Sequence, residues 1–301
     1  MPTSTIAHIT DAVRHIILTN PQSILDIGVG YGRWGYLSRE VLDAGHAKYK
    51  PEDWEVRIEG IEIFEPYILD HQRFLYNKIH IGNAFDVIDG LGEFDLIIAG
   101  DVLEHLERDK AEQLLRKIFN RAQKGFILNL PIGQEWLRDF SDHDNIHESH
   151  LSAWELSDFQ GLRFSENTYT LGNQSLYSLI FFGESELAFN RCFLTMQDCL
   201  EAQDINGAAK AMDSFIEKYP EDVEPYLLKV NVLVQGKKLP ESFQVFEQLF
   251  EKIPSFHDGY SIYLDLLKNS GNTLLMQEKG EQFLLRDLPD AVKNTIKAKI
   301  A

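Results

Sequence analysis

A chain of 301 residues, 44% hydrophobic and 11% aromatic, has the make-up of an ordinary globular protein and length for one large or two modest domains. Its formal charge of −18 is spread over both halves, so neither offers the basic face that grips a phosphate backbone, and nucleic acid is not an expected partner. No apolar run approaches the roughly 18–20 residues that span a bilayer, so no membrane partner is expected either.

The chain opens on an amphipathic helix, with Ile6, Ile9, Val13, Ile16 and Ile17 at helical spacing and charges between them. That pattern lacks the continuous apolar centre of a signal peptide. Four short β-rich runs follow: SILDIGV (23–29), VRIEGIEIF (56–64), FDLIIAG (94–100) and GFILNLP (125–131). Helical stretches such as ERDKAEQLLRKIFNRAQK (107–124) lie between them. Strands alternating with helices predict right-handed crossovers and a parallel sheet. The runs RFSENTYT (163–170) and SLYSLIFFG (175–183) have no helix between them and read as a hairpin closing the sheet.

After Glu184 no strand signal remains. Helical stretches end at Pro220, Pro254 and Pro289, 34 and 35 residues apart, and Tyr226 and Tyr260 repeat the interval of 34. A period of 34 closed by proline is the tetratricopeptide signature, two antiparallel helices per repeat. Gly207, Gly236 and Gly271 are expected at the turns between helices, although the first interval is only 29, and an irregular helical bundle is the alternative. Cys192 and Cys199 read as buried, reduced thiols, which places the chain in the cytoplasm. The expected organisation is one domain over 1–183 and a helical-repeat domain over 184–301.

The run ILDIGVGYGRWG raises the functional question. A dinucleotide fingerprint needs glycine at 28, 30 and 33, but position 33 is Arg33 and the glycines fall at Gly28, Gly30 and Gly32. Gly28 and Gly30 let a ligand approach the backbone, and Gly32 keeps the following helix start open. Asp26 at the strand end would repel phosphate and welcome an ammonium group.

LDIGVGYG resembles motif I of class I S-adenosylmethionine-dependent methyltransferases, and GIEIFEPY, IGNAFDV and FDLIIAGDVLEHL resemble later motifs of that family in the expected order. The resemblance implies a doubly wound, mostly parallel seven-stranded α/β sheet and S-adenosyl-L-methionine as cofactor. It implies that Glu62 accepts the ribose hydroxyls, that Ile63 flanks the adenine, and that Asn83 and Ala84 meet the adenine edge. Asp26, Gly28, Gly30, Gly32 and Asp101 complete the implied cofactor set.

The methyl donor is already activated, so the protein must align a nucleophile and, for oxygen, remove its proton. Candidates are Asp101, Glu104 and His105 after the fourth strand, and His143, His147 and His150 with Asp142, Asp144 and Glu148 after the fifth. Asp101 and Glu104 also have the spacing of a helix cap with a reciprocal acid, and His105 would share a helical face with Asp101. A solvated loop side chain is the plainer reading of His143. The D-x-x-E-H element is similar to that of methyltransferases acting on hydroxyls in ubiquinone biosynthesis and at small-RNA 3′ ends. That resemblance implies a divalent metal on Glu104 and His105, completed by His147 or His150; the alternative is a neutral histidine base, His105 or His150, assisted by Asp101. NIHESHLSAWELSDF looks like a loop of bacterial methyltransferases found with glycan and natural-product pathways, in which Glu148, His150 and Trp154 match and the loop covers the acceptor.

The leading expectation is O-methylation of a small-molecule or sugar-like hydroxyl, with the repeats serving a protein partner or self-association. The alternatives are a protein methyltransferase whose repeats recruit the substrate, with Lys229 and Asn231 as groove candidates, and a non-catalytic scaffold that binds the cofactor. DVLEHL in place of an N/D-P-P-Y element argues against amide nitrogen as the nucleophile.

Overall fold

The computed structural model describes residues 5–138, 145–172 and 175–301. Two compact units divide at Arg191. The first holds one seven-stranded sheet of order β3-β2-β1-β4-β5-β7-β6, formed by β1 (Ser23–Ile27), β2 (Arg57–Glu62), β3 (Lys78–Ile81), β4 (Phe94–Gly100), β5 (Ala122–Ile132), β6 (Ser165–Thr170) and β7 (Leu176–Gly183). The first five strands pair in parallel; β7 enters antiparallel beside β5, and β6 pairs outside it. The strand order reverses between β1 and β4, and ligands bind beyond the carboxyl ends at such a switch point.

The central strands read as near-continuous apolar runs because both faces are covered. Ile24, Ile58, Leu96, Ile98 and Ile127 pack with Ala12 and Ile16 of α1 (Ile9–Thr19) and with Trp34 and Leu42 of α2 (Arg33–Leu42). The opposite face meets α5 (Arg108–Arg121), where Phe119 stands edge-on to Phe182, 4.9 Å between ring centres. Between these lie the short helices α3 (Asp70–Leu75) and α4 (Ala84–Val87).

Several sequence expectations shift. On α1, Ala12 and Ile16 are buried and Ile17 is exposed, while Ile6 lies exposed before the helix begins. The helix predicted to run to Lys124 stops at Arg121, and Ala122 already pairs with Phe94 in the sheet. Compactness extends the first unit past Gly183 because α6 (Glu184–Glu201) returns polar groups to it. Asn190 exchanges hydrogen bonds with the backbone of Arg163, and Arg191 donates to the carbonyls of Phe119 and Ala122.

The second unit consists of helices: the end of α6, then α7 (Ile205–Lys210), α8 (Asp213–Lys218), α9 (Val223–Gln235), α10 (Leu239–Lys252), α11 (Asp258–Asn269), α12 (Thr273–Leu284) and α13 (Asp290–Ile300). Tyr226 and Tyr260, each 1% exposed, donate their hydroxyls to the carbonyls of Pro220 and Pro254. Gly207 is not at a turn; it lies inside α7, where its N–H is capped by Asp204. The left-handed turn residues are instead Gln203 (φ 59), Lys237 (φ 58) and Gly271 (φ 76), each 34 residues from the next. Backbone conformation therefore keeps the period that glycine placement breaks. Cys192 and Cys199 are free thiols, half-buried rather than buried. Among the described residues no helix is long and apolar enough to cross a membrane.

Candidate cofactor and metal site

The carboxyl ends of β1, β2, β4 and β5 open onto a cavity of about 550 Å³, a size suited to one small ligand and its reaction partner. Gly28, Gly30 and Gly32 all have positive φ, so the turn itself requires glycine. A Cβ on Gly28 would lie 2.8 Å from the Val102 side chain and close the approach to the backbone.

Glu62 ends β2, lines the cavity and is 5% exposed. One oxygen accepts the N–H of Gly30 at 2.8 Å and the other that of Phe64 at 2.9 Å. This clamp fixes the carboxylate and leaves lone pairs for hydroxyl donors. Ile63 and Ala84 line the same end of the cavity, as does Asn83, whose side chain caps α4 by accepting the N–H of Phe85 at 2.9 Å.

Asp26 does not line the cavity. Period-two alternation puts it with Ile24 on the α1–α2 face, fully buried, where the Tyr76 hydroxyl donates to it at 2.5 Å. The same oxygen of Tyr76 accepts the N–H of Gly35 at 3.0 Å, so the residue expected to meet an ammonium group braces the start of α2 instead. Burial pushes its carboxyl up to about 7, with the Tyr76 bond opposing and nearby Glu62 adding to the rise.

At the other end lie the groups of the D-x-x-E-H element. The cap reading fails: α5 begins only at Arg108, Leu103–His105 is a single tight turn, and Asp101 stands before it at φ 54. Hence His105 does not share an α-helical face with Asp101. The Tyr177 hydroxyl donates to Asp101 at 2.5 Å, and both residues line the cavity.

Glu104 is 1% exposed, and among the described residues neither of its carboxylate oxygens has a hydrogen-bond partner. Burial, with Asp101 adding, drives its pKa well above the carboxylate range. Ligand atoms of Glu104, His105 and His150 lie within 4.8 Å of one another. The His105 Nδ1 sits 3.1 Å from the Ser149 carbonyl; since a carbonyl only accepts, this nitrogen carries a hydrogen, and in the neutral ring the lone pair is on Nε2. A buried carboxylate with no partner beside two imidazoles is the donor set a divalent cation satisfies, and the residues fit such an ion. Burial lowers the His150 imidazole to about 4, with His105 adding, which keeps it neutral near pH 7. His147 also lines the cavity but is exposed and stands outside this cluster. Asp142, His143 and Asp144 lie outside the described residues.

The segment carrying His150 is tied down by the backbone. Leu151 and Ser152 donate to the Glu104 carbonyl at 2.7 and 3.1 Å, and His150 donates to the Arg138 carbonyl at 2.8 Å. Trp154 does not reach the cavity; 1% exposed, it anchors the loop from behind, donating to Ser152, with the Arg108 guanidinium 3.8 Å from its ring centre. Sequence reading missed Tyr67, Trp136 and Tyr177, all in the cavity wall. Trp136 is held by its indole N–H on the Leu176 carbonyl, with its ring near-parallel to that of His150.

Neither a family model nor a curated protein matches the sequence. Solved structures do match. A magnesium protoporphyrin IX methyltransferase from Synechocystis with bound S-adenosylhomocysteine is 13% identical, over 57% of this chain and 80% of that one, with a TM-score of 0.41. An O-methyltransferase from Bacillus cereus, also in complex with S-adenosylhomocysteine, is 11% identical over 60% of this chain and 81% of that one, TM-score 0.40. An O-methyltransferase family protein from Burkholderia thailandensis is 12% identical over 57% and 55%, TM-score 0.40.

Proposed function

We propose that the chain is an S-adenosylmethionine-dependent methyltransferase acting on a hydroxyl of a small-molecule or sugar-like acceptor. The observation that carries this reading is the clamped Glu62 carboxylate facing the cavity beside a turn built from three left-handed glycines. Glu62 would take the ribose hydroxyls, Ile63 and Ala84 would flank the adenine, and the glycine turn would admit the rest of the nucleoside. When bound, the cofactor supplies a methyl group already activated on sulfur.

Glu104, His105 and His150 would hold a divalent ion, whose chemistry there is to lower the pKa of an acceptor hydroxyl. Asp101, positioned by Tyr177, would accept the acceptor's proton or hydrogen-bond its oxygen. Trp136 offers a fixed aromatic wall beside that centre, which suits the face of a sugar or an aromatic ring. For the second unit, the 34-residue recurrence of turn conformation supports a tetratricopeptide-like role, serving a protein partner or self-association.

Calorimetric titration with S-adenosylhomocysteine tests the reading. Micromolar binding, weakened at least about 100-fold in Glu62→Ala through loss of two charge-assisted bonds and the ribose contact, is expected. Absence of binding by the unaltered protein would overturn it.

A further inference from the structure

We propose that Tyr67 is a positioning residue that couples occupancy of the nucleoside end of the cavity to assembly of the Glu104–His105–His150 cluster. The inference rests on the reading above and adds that the two ligands bind cooperatively through one hydrogen-bonded chain.

The chain starts at the glycine turn. The Gly30 carbonyl accepts from the Gln72 amide at 2.8 Å, and the same nitrogen donates to the Tyr67 carbonyl, also at 2.8 Å. Gln72 is fully buried, and its oxygen accepts the N–H of Leu69 at 2.9 Å, so both ends of the amide are committed. Gly30 is thus held on its N–H by Glu62 and on its carbonyl, through Gln72, by the loop that carries Tyr67.

From there the link crosses the cavity. The Tyr67 hydroxyl donates to Glu148 at 2.8 Å, while the Tyr67 ring lies edge-on to Phe64, 4.8 Å between centres. Asn145 also reaches that Glu148 oxygen, at 3.4 Å. The next residue, Ser149, accepts from His105, the one after it is His150, and Leu151 and Ser152 hold the Glu104 carbonyl. All three members of the cluster are therefore placed by the few residues that follow Glu148.

That segment is held chiefly by these hydrogen bonds and by Trp154 behind it, with few other apolar contacts. It contains one short turn, Ile146–Glu148, and leaves Ile146 67% and Leu151 49% exposed. Ordering it costs conformational entropy, and whichever ligand binds first bears part of that cost for the second. Thermodynamic linkage makes the effect reciprocal, so each ligand tightens the other by the same factor.

The test uses the full chain, with Mn²⁺ as the metal probe and S-adenosylhomocysteine as the nucleoside. Each is titrated calorimetrically with and without saturating amounts of the other. The unaltered protein should show mutual tightening of about fivefold or more. In Tyr67→Phe the factor should fall below about twofold while each ligand still binds alone, because the hydroxyl link is removed while the aromatic ring in the cavity wall, Glu62 and the three cluster side chains are all kept. Glu148→Gln, which keeps an oxygen for the hydroxyl, should retain coupling that Glu148→Ala loses; this pair reads the same link should Tyr67→Phe fail to fold.

Equal coupling in Tyr67→Phe and the unaltered protein would overturn the proposal, as would two ligands that bind independently. Mn²⁺ failing to bind in either state would overturn it together with the metal assignment. Failure of S-adenosylhomocysteine to bind would instead overturn the functional reading from which it starts.

Discussion

Tyr177 holds Asp101 by a 2.5 Å hydrogen bond at the one place where, among the described residues, the first unit's cavity wall contains a non-glycine residue with positive φ. Left-handed backbone costs an L-residue roughly 1–2 kcal/mol, least for aspartate and asparagine, and such strain persists where surroundings enforce it. Asp101→Asn tolerates the conformation and can keep the bond, so its unfolding free energy in urea should stay within about 1 kcal/mol of the unaltered protein's. Asp101→Val combines a β-branched side chain at φ 54 with loss of the bond and should cost about 2–4 kcal/mol. Equal stability of the two variants would show that neither the strain nor the Tyr177 bond matters.

Asp26 should leave its mark on stability above acid pH. Its native pKa is about 7, raised by burial, against 3.8 for an ordinary aspartate. Between those values the native state holds one proton more than the unfolded chain, so stability falls as pH rises through that window and levels off above it. Asp26→Asn removes the slope. The variant should gain on the unaltered protein from pH 4 to 7, by at most about 4 kcal/mol, and hold a constant lead from pH 7 to 9. A difference in denaturation midpoints that ignores pH would contradict the buried acid.

His8 should act in the opposite direction. It is fully buried between Trp34 and Tyr177, with neither ring nitrogen hydrogen-bonded among the described residues. Burial, with Arg33 adding, lowers its pKa from 6.5 to about 4. The unfolded chain then binds the proton first, and stability is lost as pH falls from about 6.5 to 4. His8→Phe should flatten this acid limb, by about 2–3 kcal/mol across the window, and raise the melting temperature at pH 5 more than at pH 8. An unchanged limb in the variant would assign the acid sensitivity elsewhere.

The repeating turn residues give a test in the helical unit. Lys237 and Gln203 occupy the left-handed position that glycine fills at Gly271. Lys237→Gly should therefore stabilise by roughly 0.5–1 kcal/mol, and Gly271→Ala should destabilise by a similar amount. Parallel shifts in both variants would mean that the three turns are not equivalent.

What the sequence made legible follows the range of the contacts. The glycine turn and Glu62 could be read because each signal is local: a strand end, a tight turn, an acid at the next strand's tip. Asp26 was misplaced because its side depends on the alternation inside β1 and on Tyr76, fifty residues away, which fills the space that Gly35 and Gly60 leave. Glu104, His105 and His150 could be nominated from spacing, yet only the fold excludes His147 from their cluster. Tyr67, Gln72 and Tyr177 carry no local signature, since their roles lie in partners contributed by distant segments. The 34-residue period was legible in proline and tyrosine but obscured in glycine, because Gln203 and Lys237 do glycine's conformational work.

The junction after β7 bears on how such a protein could have been assembled. By sequence pattern the sheet ends at Gly183, and a recombination event joining an unrelated helical segment there would look clean. It would nevertheless discard Arg191, which satisfies the Phe119 and Ala122 carbonyls where α5 passes straight into β5, and Asn190, which holds Arg163. Helix ends leave such carbonyls without intrahelical partners, and here the remedy is encoded downstream of the sheet. A cut at Gly183 would therefore leave the sheet incomplete: any exchange must carry the first turns of α6 with the sheet, and relatives that changed their helical region should differ only beyond Arg191.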